Sequence, residues 1–138
     1  MPSNRDIPGL DFGLGEEIDM LRETVRGFSD AKVAPIAAEI DRSDEFPRHL
    51  WPEMGALGLI GADLPEHYGG LGEPSVTAGI AMEAVGYADL NLAYVPLLAS
   101  LNGQILAAFA RPEIARDWLT RLTAGEIMLA IALTEPKG

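Results

Sequence analysis

Seven apolar residues, Ile18, Leu21, Val25, Phe28, Val33, Ile36 and Ile40, recur at mostly three- and four-residue steps, with Glu17, Arg22, Glu23, Arg26 and Asp30 between them. That spacing draws one apolar stripe along a helix, and a chain that begins this way must find a packing partner for it. Pro35 lacks the donor an uninterrupted helix needs and clashes with the preceding turn, so a break is expected around Val33 and Ala34. Two helical pieces ending near Arg42 are expected.

The same punctuation continues. Pro47 opens a short helix through Trp51, Met54 and Leu57, and Gly58 is placed to stop it. GLIGADLPEHYGGLG, Gly58 to Gly72, is rich in chain-breaking residues and carries Leu59, Ile60, Leu64, Tyr68 and Leu71. It reads as an ordered loop pinned to the core by those side chains. Pro74 and Ser75 introduce the small-residue helix SVTAGIAMEAVGYA, and a further helix spans about Leu90 to Ala110 despite Pro96 and Gly103. Pro112 suits the first position of a last helix through Ile114, Trp118, Leu119 and Leu122, which Gly125 closes as a left-handed cap.

After Gly125 the pattern changes. Ile127 to Leu133 is a short continuous apolar run, bounded by a cap and a polar turn, and it reads as a buried strand. Everything before it is helical, and a lone strand leaves ladder groups unpaired at about 1–3 kcal/mol per buried group. The expected fold is therefore all-α, with a terminal β-strand whose sheet is missing from the chain.

A length of 138 residues fits one core. The net charge of −11 repels nucleic acid and anionic membrane surfaces, so neither is expected as a partner. The absence of cysteine excludes a disulfide framework and a thiolate site. The N-terminus has no signal or transit layout, and no stretch is expected to reach the roughly 18 apolar residues of a membrane span. A cytoplasmic location is the default expectation.

Bare motifs yield little chemistry. Gly69, Gly70 and Gly72 form GG-x-G, but no Lys-Ser/Thr follows, so a structural turn is favoured over a phosphate loop. His49 with Glu53, and His67 with Glu66, fall short of a metal-ligand set, and no metal is expected. Asp41, Asp44 and Glu45 lack the spacing and the central glycine of a calcium loop. No Ser-His-Asp arrangement declares itself. Tyr94 to Leu106 has the apolar content either to fill the core, the favoured reading, or to line a cavity between helices.

Four stretches then fall in one order: FP-x-x-LW at Phe46, Pro47, Leu50 and Trp51; P-E-x-Y-G-G-x-G from Pro65 to Gly72; L-x-x-L-x-x-G-E from Leu119 to Glu126; and A-L-T-E-P from Ala132 to Pro136. Together they resemble the N-terminal part of an acyl-CoA dehydrogenase over nearly the whole chain. The resemblance implies a helical N-terminal domain over 1–126 and, over 127–138, the first strand and the start of the flavin-contacting turn of a middle β domain. It implies FAD as cofactor, with Ile131, Ala132, Leu133 and Thr134 against the isoalloxazine ring. It implies an acyl-CoA substrate, with Tyr94, Leu97, Leu98 and Leu101 where the family lines its acyl pocket. Leu101-Asn102-Gly103-Gln104 departs from the family's leucine-glycine pattern there.

The implied reaction is α,β-desaturation: a carboxylate takes the α-proton while the β-hydrogen leaves as hydride to the flavin. The family's base belongs to a C-terminal domain, so no catalytic residue is expected in this chain, and Glu83, Glu126 and Glu135 are not nominated in its place. An electron-transfer flavoprotein or other acceptor, and a homo-oligomer, commonly a tetramer, are implied for the full-length protein. The 138 residues alone are expected to be inactive. Three other readings stand beside this one: a non-catalytic short subunit supporting a partner chain, a related flavin oxidase or monooxygenase, and an acidic helical interaction module with no flavin.

Overall fold

The computed structural model describes residues 13–135, so Pro136, the last residue of the A-L-T-E-P stretch, and Lys137 and Gly138 after it lie outside it. Six α-helices follow in chain order: α1 Glu16–Phe28, α2 Ala37–Ser43, α3 Leu50–Ala56, α4 Ser75–Gly86, α5 Leu90–Phe109 and α6 Pro112–Thr123. Short helical turns link α1 to α2, and Glu66–Tyr68 forms a 3-10 turn. α4 packs against both α1 and α5, and α6 against α5 and the 66–68 turn. All regular elements among the described residues are helical, as the apolar spacing predicts.

The break at Pro35 takes a specific form. Ser29–Val33 is a π-helical turn and Ala34–Ile36 a 3-10 turn, and α2 then runs to Ser43, one residue past the expected end. A π turn holds one extra residue, so the five-residue step from Phe28 to Val33 keeps the stripe on one face. Val25, Val33 and Ile40 are all buried as a result. The sequence led to the expectation of a break here, and the structure shows that the break is a π turn that accounts for the five-residue step.

Gly58 and Gly125 end their helices in the same way. Each has a left-handed φ, +72° and +73°. Gly58 N–H donates to Gly55 O and Leu59 N–H to Met54 O, while Gly125 N–H donates to Leu122 O and Glu126 N–H to Arg121 O. These paired bonds define Schellman closures.

Two expectations need correction. Leu59, Ile60 and Leu64 anchor the 58–72 loop as expected and Tyr68 packs on the core, but Leu71 remains exposed and lies over Gly58. The expectation that no stretch reaches membrane-spanning length also fails. α5 is a 20-residue helix without a charged residue, long and apolar enough by composition to cross a membrane. Its buried face belongs to the core cluster through Leu92, Val95 and Ala99.

The segment expected as a buried terminal strand forms neither a strand nor a helix. Ile127, Met128 and Leu129 pack partly against the core, while 130–135 is mostly exposed and in no regular element. No backbone hydrogen bond ties 127–135 to the rest of the described chain. A ladder requires a second strand, and none exists among the described residues.

Candidate functional site

α5 is apolar on two opposite faces. Asp89 caps its first turn, its carboxylate accepting from Leu92 N–H at 3.1 Å. Pro96 is accommodated within the helix and is buried. Leu92, Val95, Ala99, Asn102 and Gly103 turn into the core. The other face carries Leu90, Tyr94, Leu97, Leu101, Ile105 and Phe109 at steps of three and four, and they are 41–85% exposed. At 1.5 Å per residue this row runs about 28 Å.

The choice between core and cavity for Tyr94 to Leu106 thus divides by face. Of the residues expected to line an acyl pocket, Tyr94, Leu97 and Leu101 share the open face, and Leu98 sits half-buried at its edge. Leu90, Ile105 and Phe109 extend the row beyond the residues singled out from the sequence. Their three- and four-residue spacing was the signal that identifies them.

The 58–72 loop holds α5 from the side. Ser100 Oγ donates to the buried Asp63 carboxylate at 2.7 Å, and Gln104 Nε2 donates to the Asp63 carbonyl at 2.6 Å. Gly103 lets the loop come close, since a Cβ there would lie 2.6 Å from Leu64 Cδ1. The loop's other end is tied to α6 by Thr123 Oγ1, which donates to Tyr68 O at 2.9 Å. Asp63 and Ser100 carried no motif that sequence reasoning would have picked out, because they lie 37 residues apart.

The GG-x-G amides are engaged internally. Gly69 N–H donates to Glu66 O, Gly70 N–H to Pro65 O, and Gly72 N–H to Leu64 O. They are not presented to an anion. His49 precedes α3, and Glu53 pairs with Lys32 at 3.2 Å. The His67 ring lies against that of Tyr68, with centroids 4.0 Å apart and planes inclined at 50°. No group of three or more potential metal ligands gathers among the described residues. Glu83 is exposed on α4, and Glu126 faces Arg121 at 3.6 Å.

Ile131 is half-buried, whereas Ala132, Leu133 and Thr134 are exposed. Their N–H and C=O groups have no partner among the described residues, and neither does the Thr134 hydroxyl. Unpaired amides and an unpaired hydroxyl along 131–134 offer the donors and acceptors that the polar edge of a flavin ring needs along one side.

The acyl-CoA dehydrogenase N-terminal domain family matches residues 15–126, most of the chain. Bacillus subtilis probable acyl-CoA dehydrogenase YngJ is 36% identical over 129 residues, covering 92% of this chain and 34% of that protein. Acryloyl-CoA reductase (NADH) from Anaerotignum propionicum is 32% identical over 127 residues, covering 92% and 32%. The solved structure of a Mycobacterium smegmatis glutaryl-CoA dehydrogenase in complex with FADH2 superposes with a TM-score of 0.85 at 28% identity, over 91% of this chain and 32% of that one. A helical bundle that matches so much of that domain at this structural similarity leaves one assignment. The chain belongs to the acyl-CoA dehydrogenase family and carries its N-terminal helical domain. It spans about one third of the length of the curated relatives it matches.

Proposed function

We propose that this domain supplies one wall of the acyl-CoA site of a FAD-dependent acyl-CoA dehydrogenase, and that the 138 residues alone perform no chemistry. The open apolar face of α5 carries the reading. A Leu or Phe side chain fully withdrawn from water contributes about 1.5–3 kcal/mol, so a row of six favours an apolar cover. Tyr94, Leu97, Leu98 and Leu101 would hold an acyl chain and keep water from it. Ile131 to Thr134 would lie along the flavin, with the Thr134 hydroxyl and neighbouring amides hydrogen-bonding its polar edge. When bound, FAD would supply hydride acceptance for α,β-desaturation of the thioester. The carboxylate that removes the α-proton would come from outside this chain, and an electron-transfer flavoprotein or other acceptor would reoxidise a full-length protein that assembles as a homo-oligomer.

The likeness to acryloyl-CoA reductase favours a second reading, in which the same wall serves an enoyl-CoA reduced in the opposite direction. Anaerobic mixing of the oxidised full-length flavoprotein with saturated acyl-CoA thioesters, and of the chemically reduced flavoprotein with enoyl-CoA thioesters, whose reduction would restore the oxidised flavin colour, tests both. Bleaching of the oxidised flavin by a saturated acyl-CoA is expected. Bleaching by none of the saturated thioesters, in a preparation that contains flavin, contradicts the dehydrogenase reading. For residues 1–138 alone, negligible FAD affinity is expected in a fluorescence titration, and stoichiometric binding would contradict that.

A further inference from the structure

Two glycines bring the end of α6 into main-chain contact with α3. A Cβ on Gly125 would lie 2.8 Å from the Trp51 carbonyl carbon and 3.1 Å from Pro52 Cα, and nearer still to the Trp51 carbonyl oxygen. From the other side, a Cβ on Gly55 would lie 2.7 Å and 2.8 Å from the Ala124 carbonyl carbon and oxygen, and 2.9 Å from Gly125 N. Every one of these neighbours is backbone, so no rotamer change relieves the contact, and close-packed interiors transmit the strain instead. Gly55 is the more telling of the two. It sits inside α3, where glycine is otherwise disfavoured and where the backbone does not demand it.

The chain beyond this crossing has little else to direct it. Glu126 is exposed, Ile127 to Leu129 rest on the core through side chains, and 130–135 makes no backbone hydrogen bond among the described residues. The interlocked glycines and the adjoining bond from Glu126 N–H to Arg121 O are therefore the last main-chain fixtures among the described residues before Thr134, nine residues past Gly125. We propose that Gly55 and Gly125 are positioning residues that aim the 130–135 segment. The consequence for catalysis rests on the flavin-contacting reading given above; the aiming itself does not.

Because the chain contains no cysteine, spin labels at Asp19→Cys and Glu135→Cys report one distance across the corner. Gly55→Ala is expected to shift that distance distribution in the folded 138-residue chain. Gly79→Ala is the control, since a Cβ on this exposed helical glycine meets nothing within 4 Å, and it is expected to leave the distribution unchanged. Gly125→Asn, which keeps a left-handed backbone accessible while adding a Cβ, provides a second variant should Gly55→Ala fail to fold. In the full-length flavoprotein, Gly55→Ala is expected to shift the flavin absorption maximum. It should also lower kcat on the order of 100-fold, with the KM for acyl-CoA changing far less. A parental distance distribution in folded Gly55→Ala or Gly125→Asn overturns the aiming. A shifted distribution with unaltered flavin spectrum and turnover instead contradicts the flavin-contacting role of 131–134.

Discussion

α6 and α5 adjoin in sequence and pack together, yet they use apolar residues differently. α6 buries Ala115, Leu119 and Leu122 on one side, leaves Ile114 and Trp118 beside them 36% and 42% exposed, and carries Arg116, Asp117, Thr120 and Arg121 on the rest of its surface. α5 buries one apolar face and leaves a second open. A single stripe is explained by the bundle in which it sits. A second stripe is not, and it points to something that the bundle lacks. In α5, residues that stabilise the domain and apolar residues left open to a cover occupy the same helix and are separated by their direction.

That contrast breaks if the two faces respond alike to truncation. Leu92→Ala, on the inner face, is expected to destabilise the domain by about 2–5 kcal/mol, measured by urea unfolding. Asp89→Ala removes the cap common to both faces and is expected to cost about 1 kcal/mol by the same measurement. Leu97→Ala, on the open face, is expected to stay within about 0.5 kcal/mol of the parent chain. In the full-length flavoprotein it should nevertheless reduce kcat/KM for acyl-CoA. A Leu97→Ala loss as large as that of Leu92→Ala would show the outer face to be structural.

Much of this architecture was legible in the sequence, for reasons that particular residues make clear. The stripe from Ile18 to Ile40, Pro35 as a breaker, Pro112 as an opener and Gly125 as a cap all act locally, through backbone geometry and helical period. The π turn was not among these: Pro35 announced a break, but its form showed only in the structure, where the five-residue step to Val33 finds its explanation. What did not show was long-range. Nothing in the neighbourhood of Leu71 says that it stays at the surface, and nothing near Asp63 announces Ser100 or Gln104. The candidate site was half legible: Tyr94, Leu97 and Leu101 lie together on one face, whereas Leu90, Ile105 and Phe109 continue it at a spacing that a core-facing stripe would share until the structure shows the inner side occupied. The 127–133 run signalled a strand through composition, but a strand also needs a neighbour, and neighbours are not written in a single segment.

The most direct measurement is photocrosslinking of the full-length flavoprotein with an acyl-CoA that carries a diazirine on its acyl chain, followed by peptide mapping. Adducts on Tyr94, Leu97, Leu98 or Leu101, suppressed by unlabelled acyl-CoA, are the predicted result. Saturable labelling that spares α5 entirely would contradict the assignment of its open face to the substrate.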